Sequence, residues 1–331
     1  RESGFGREGG KEGLYEYIKL MHQGGAEAPR PVSTLQNTAN NSNGGAKVAP
    51  AINRTPKQYI GGKQARPDSG YSLAVKDPSG QLLGEVGEGN RKDIRNAVEA
   101  AHAAENWGFT SGHARAQILY YVAENLSVRA DEFAARIVAM TGRSSEDAHN
   151  EIALAISRLF TYAAWADKYD GLVHATPLRG VVLAIPEPIG VIGIACPDEY
   201  PLLGFVSLMA PAVAMGNTIV ITPSEMYPLS ATDFYQVLET SDVPSGVVNI
   251  VTGKRDALAK VLAEHDDVDA MWYFGPAEGS KMVEAASAAN MKRTWVNYGE
   301  AMPWLDSNQA EGDEFLREAT QVKNIWTPYG E

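Results

Sequence analysis

Residues 188–225 read PIGVIGIACPDEYPLLGFVSLMAPAVAMGNTIVITPSE. Positions 191–195 form a short apolar run bounded by Gly190 and Pro197, the pattern of a buried strand. Positions 201–215 are apolar for too long to be a strand and predict a core helix, stopped by Gly216 and Asn217. Positions 218–221 are a second β-branched run, ended by Pro223. The three segments predict a β-α-β unit with both strands buried, the seed of a parallel sheet. Ligands of such sheets lie beyond the carboxyl ends of the strands. Here those ends carry Asp198, Glu199 and Tyr200, then Thr222, Pro223, Ser224 and Glu225.

The alternation continues downstream, with helices predicted over 230–239, 257–264 and 278–289 and strands over 247–251 and 270–274. Upstream, 71–76 and 83–86 read as strands around a turn at 78–80. A helix over 91–105 has Asn90 as its cap. Helices follow over 111–126, 131–141 and 144–167, with Gly142 ending the second and Ser144 capping the third. Residues 171–187 predict an antiparallel hairpin, 315–320 a short helix and 322–326 a strand. Residues 23–46, rich in Gly, Asn, Ser, Pro and Ala, read as a linker. A short helix is possible over 8–20.

A chain of 331 residues, 44% hydrophobic, can bury one large or two modest cores. Its net charge of −12 disfavours nucleic acid and anionic membrane as partners, because both need a basic face. One cysteine excludes an internal disulfide framework and points to a reducing compartment, which we read as the cytoplasm. The apolar stretch 202–215 is too short to span a membrane. The six histidines are scattered without ligand spacing, so no metal site is expected.

Over about residues 58–300 the chain resembles the aldehyde dehydrogenase superfamily. The resemblance rests on Gly190, Pro197, Tyr200, Pro201, Ala210-Pro211-Ala212, Gly216-Asn217-Thr218, Pro223 and Glu225. It implies an α/β fold: a Rossmann-like parallel sheet with flanking helices, plus a projecting β-hairpin flap over 171–187 that serves oligomerisation. Residues 1–22 resemble the extreme carboxyl end of a preceding domain of this family, and 23–57 would then be a linker. Residues 322–326, VKNIW, resemble the family's terminal strand beside the flap, within a carboxyl-terminal segment 301–331. The catalytic subdomain that normally follows position 299 is missing. The chain, which starts at Arg1, is therefore expected to be a piece of a longer polypeptide.

Aldehyde oxidation needs a thiolate nucleophile, an oxyanion donor, a general base and a nicotinamide cofactor. Cys196 aligns with a strand end rather than with the family's nucleophile, and reads as a buried structural thiol. Glu199 takes the place of the oxyanion asparagine; losing such a donor costs about 3–4 kcal/mol. Asn297 takes the place of the general base and cannot accept a proton from water. The bland reading of both is ordinary polar residues. Thr222 replaces the lysine that meets the adenine ribose, and Pro276 replaces the serine that meets the pyrophosphate. Glu225, Gly275 and Gly279 are the residual weak candidates for a nucleotide.

The implied architecture resembles the family-16 aldehyde dehydrogenases, in which a second, truncated domain lacks the catalytic cysteine. The expectation is a non-catalytic structural domain with no cofactor of its own. NAD and catalysis would belong to the upstream domain of the same chain, its partner, with the parent a homodimer. Interface residues would be Val181, Val182, Leu183, Val322, Ile325 and Trp326. The alternative is a vestigial or regulatory dinucleotide-binding domain; an adaptor for other proteins is equally compatible with the sequence.

Overall fold

A computed structural model describes residues 57–177 and 179–329. The expected tail 1–22 and linker 23–57 lie, except for Lys57, outside the described residues. The predicted unit is present as β7 (Val191–Ala195), α5 (Pro201–Ala214) and β8 (Thr218–Thr222), with every residue of the three buried. β7 also pairs in parallel with β10 (Ala270–Tyr273), and β8 with β9 (Val248–Ile250).

The sheet has seven strands rather than a purely parallel set. β11 (Arg293–Val296) adds in parallel beside β10 at one edge. A hairpin of β1 (Gln58–Ile60) and β2 (Lys63–Ala65) adds antiparallel beside β9 at the other, giving the order β11-β10-β7-β8-β9-β1-β2. The strand at β11 was not expected from sequence, because four half-buried residues show no clean alternation. It is held by Trp295, whose ring lies edge-on to Trp272, Phe274 and Phe315 at 5.0–5.1 Å.

Helices α1 (Arg91–Ala103), α8 (Arg255–Glu264) and α9 (Ala277–Ser287) flank the sheet. α1 begins with a capping box between Asn90 and Asp93 and ends two residues before the expected 105, where a 3-10 turn at Glu105–Phe109 takes over. α2 (Gly112–Val128) and α4 (Ser145–Trp165) pack over α5, and α3 (Ala130–Thr141) packs against α4. Gly142 ends α3 with φ of 70°, as its position predicted. The single helix expected over 230–239 is two, α6 (Leu229–Asp233) and α7 (Tyr235–Thr240). They meet at Phe234, whose ring is buried edge-on against Phe133 and Phe205.

The residues 171–187 form β5 (Leu172–His174) and the start of β6 (Gly180–Pro188), antiparallel as expected. β12 (Thr320–Pro328) follows α10 (Asp313–Glu318) and pairs with β6 along nine residues. Order β12-β6-β5 makes a separate three-stranded sheet. β3 (Ser72–Lys76) and β4 (Leu82–Gly87) form a third, two-stranded one.

The amino end of α5 is buried, and Tyr200 before it, at φ of 51°, offers no side-chain cap. Glu151, reaching across from α4, fills the gap. Its carboxylate accepts hydrogen bonds from Leu202 N at 2.9 Å and Leu203 N at 3.2 Å, and from Arg143 Nη1 at 2.8 Å. The Arg143 guanidinium lies over the Tyr200 ring at 4.4 Å. Burial pushes the Glu151 carboxyl above its ordinary value of 4.5, against the pull of these donors.

Glu151→Ala should therefore destabilise the chain by about 3 kcal/mol in urea unfolding, since it strands a cation and two buried N–H groups. With the folded pKa raised, the native state holds a proton that the unfolded state has lost. Wild-type stability should fall as pH rises from 4.5 through the raised value, and Glu151→Gln should flatten that part of the profile.

Candidate functional site

All five parallel strands end on one edge of the sheet, and the loops leaving them gather the expected site residues. After β7 come Cys196, Asp198 and Glu199; after β8, Ser224 and Glu225; after β10, Phe274, Gly275 and Pro276. Cys196 is fully buried, and burial pushes its thiol far above the ordinary range. It is the opposite of an activated nucleophile. Glu199 is exposed.

Asn297 is a loop bracket. Its Oδ1 accepts from Gly275 N at 2.9 Å and its Nδ2 donates to Glu300 O at 2.9 Å. It lines a cleft of about 650 Å³ with Trp295, Tyr298, Glu300, Glu311 and Glu314. Glu199 does not line that cleft, so the structure does not bring it together with Asn297 there. The floor of this region is tied by Arg158, fully buried on α4, which donates to Ser207 Oγ and to Trp304 O.

Glu225 is not free for a ribose. Its carboxylate accepts from Arg255 N at 2.9 Å and from Lys254 Nζ at 3.0 Å, so it caps the amino end of α8. Beside it Arg255 Nη1 donates to Asp198 at 2.8 Å, and Asp198 also accepts from Ser224 Oγ at 2.7 Å. Gly275 and Gly279 flank the start of α9, but the phenol of Tyr273 fills the space next to both. A Cβ on Gly279 would lie 1.9 Å from Tyr273 Oη, and one on Gly275 2.7 Å from it. Tyr273 Oη donates to Asp256 at 2.6 Å. Burial, then this acceptor, raises the phenol pKa well beyond its usual range, so it stays a donor. The roles of Tyr273, Asp256, Arg255 and Asp198 were missed in the sequence; the only signal was an aromatic residue two and six positions before glycines at a strand end.

The expected interface residues divide. Val182 is only 3% exposed, whereas Val322 and Trp326 are 61% and 60% exposed. Val181 and Leu183 are half-buried, and Ile325 is exposed. By strand alternation Val322, Trp326 and Val182 share one face, and Ile325, Leu183 and Val181 the other.

The profile of the aldehyde dehydrogenase family matches residues 65–324, most of the chain. This chain belongs to the aldehyde dehydrogenase family. It is 33% identical to an aldehyde dehydrogenase of Agaricus bisporus over 261 residues, 77% of this chain and 51% of that protein. It is 32% identical to a mitochondrial benzaldehyde dehydrogenase of Antirrhinum majus, covering 78% of this chain and 49% of that one. Among solved structures, PnpE from Pseudomonas sp. WBC-3 superposes with a TM-score of 0.71 at 28% identity, over 73% of this chain and 50% of that one. An aldehyde dehydrogenase from Bacillus cereus in its NAD+ complex gives a TM-score of 0.71 at 26% identity, over 74% of this chain and 51% of that one. The chain thus spans about half the length of the relatives it matches. No helix among the described residues is long and apolar enough to cross a membrane.

At this edge the carboxylate of Glu225 is engaged at one helix start, Asn297 holds the Gly275 N–H, and Pro276 has no N–H to offer. Because Glu225 caps α8, Glu225→Ala should cost about 1 kcal/mol of stability, seen as a lower urea midpoint with unchanged slope.

Proposed function

We propose that this chain is a non-catalytic part of an aldehyde dehydrogenase and that its work is structural. The observation that carries this reading is the β12-β6-β5 sheet, whose outer strand keeps Val322, Ile325 and Trp326 exposed along an edge that no other described strand pairs with. A long edge with apolar side chains on both faces is an aggregation hazard unless another chain or domain covers it. Strand addition would supply backbone hydrogen bonds and burial together. The occupant is the upstream catalytic domain of the same polypeptide, so that β12 and β6 stand in for a partner subunit, and the parent forms a homodimer in the cytoplasm.

In this reading the upstream domain carries the cysteine, the general base and NAD or NADP, and oxidises an aldehyde to a carboxylic acid. Support comes from the chemistry present here. Cys196 is buried and protonated, Glu199 puts an anion where an oxyanion needs a donor, and Asn297 spends its amide on the backbone. A vestigial nucleotide-binding domain is the rival, and the self-satisfied Glu225 speaks against it.

Replacing Val322 and Trp326 together by Asp in the parent polypeptide should release this contact within the chain, read as a larger radius of gyration in X-ray scattering. The secondary structure of this chain should be unchanged. An unchanged radius of gyration sinks the structural reading. Calorimetric titration of the wild-type chain with NAD and NADP should show no binding below about millimolar, whereas micromolar binding, about −8 kcal/mol, would favour the rival.

A further inference from the structure

We propose that a cleft at the amino edge of the main sheet binds a small monocarboxylate with an apolar body, and that Arg115 holds its charge. This edge lies across the sheet from the one that carries Cys196, Glu225 and Gly275, so the cleft is separate from the candidate site.

The cleft measures about 630 Å³. Small-ligand sites span about 300–1,000 Å³. Val191 and Thr218, the first residues of β7 and β8, line it. So do the 3-10 turn that ends at Phe109 and the base of the three-stranded sheet, through Pro186, Pro188 and Lys323.

Arg115, in the first turn of α2, is half-buried on this cleft. Its Nε donates to Ala214 O at 2.8 Å and its Nη1 to Thr110 O. These backbone carbonyls fix the plane of the guanidinium and offset part of its charge. They leave Nη2 without a hydrogen bond among the described residues. No carboxylate pairs with the group, and burial, with no anion to oppose it, pulls its pKa down. The other basic side chains on the cleft are engaged. Lys323 Nζ meets Glu187 at 3.0 Å, and His102 Nε2 lies 3.0 Å from Asp267 O. A partly buried cation without a partner is costly, and the planar fork of a guanidinium matches a carboxylate.

The remaining groups select the ligand. Glu105 and Asp269 also line the cleft, and Asp269 Oδ2 accepts from Val191 N at 2.8 Å. One uncommitted cation near two carboxylates suits a single negative charge and disfavours a dianion such as phosphate. The apolar lining suits a hydrocarbon body. Phe109 is 87% exposed on this rim, and Met215 and Tyr169 add apolar surface. Covering the Phe109 ring gains burial that the chain alone leaves unused. The acid released by the reaction proposed for the parent is of this chemical class; binding to the cleft does not depend on that reading.

The experiment titrates the 331-residue chain with benzoate, octanoate, benzyl alcohol and inorganic phosphate, followed by calorimetry and thermal shift. Benzoate and octanoate should bind and raise Tm as their concentration rises. Benzyl alcohol lacks the charge and phosphate lacks the body, so each should bind about tenfold or more weakly. Phe109→Ser should weaken both carboxylates about threefold or more and leave the Tm of the free chain unchanged, because the ring is in solvent. Arg115→Lys keeps a charge but loses the fork, and should weaken them about tenfold. Absence of binding by both carboxylates would overturn the proposal. So would equal binding of phosphate or benzyl alcohol, or a Phe109→Ser chain that binds like the wild type. Should Arg115→Lys fail to fold, salt reads the charge contact in the wild type instead. Benzoate affinity should fall as sodium chloride rises, and affinity independent of salt would overturn the site.

Discussion

The structure depends on one buried carboxylate meeting one buried helix end. α5 is enclosed on every side, and its first N–H groups have no water to turn to. Glu151 supplies the acceptor from α4, and Arg143 supplies the countercharge. Without that pairing the apolar faces of α5 could not be buried at its amino end, and β7 and β8, which pack beneath it, would lose their cover. The carboxyl edge of the sheet, where all the site residues stand, is positioned by this contact, because Tyr200 and Glu199 are the residues that lead into it.

At that edge the same rule of satisfying buried polar groups has been met internally. Glu225 answers the start of α8, Asn297 answers Gly275, Asp198 answers Arg255, and Asp256 answers Tyr273. Each bond removes a donor or acceptor that a ligand could have used. In a binding site such groups wait for a partner. Here they stabilise the fold, which is consistent with a family member whose value lies in its surfaces. The three-stranded sheet leaves Leu172, Val173, Val322 and Trp326 exposed, while other exposed apolar side chains, such as Phe109, Val128 and Met291, lie elsewhere.

Much of the fold was legible because its signals are local. Gly142 in a left-handed turn, Asn90 with Asp93 three residues on, and the unbroken apolar runs at β7 and β8 each state their structure within a few residues. The edge strand β11 and the break at Phe234 were not legible. Trp295 and Phe234 take their positions from rings contributed by distant segments, Trp272, Phe274 and Phe315 in one case and Phe133 and Phe205 in the other. The candidate site was legible as two positions read as altered, Glu199 and Asn297, beside the residual candidates Glu225, Gly275 and Gly279. What those residues do instead was not.

The sequence by itself determined the β-α-β frame and the family, because residue type and spacing along the chain carry that information. Only the tertiary structure decided that Glu225 is a helix cap, that Val182 is inside while Val322 and Trp326 are outside, and that the Tyr273 phenol lies against Gly279. The physical reason is that satisfaction and exclusion are pairwise in space. A carboxylate or a ring shows its role only when the atom it meets, contributed from another strand or helix, is beside it.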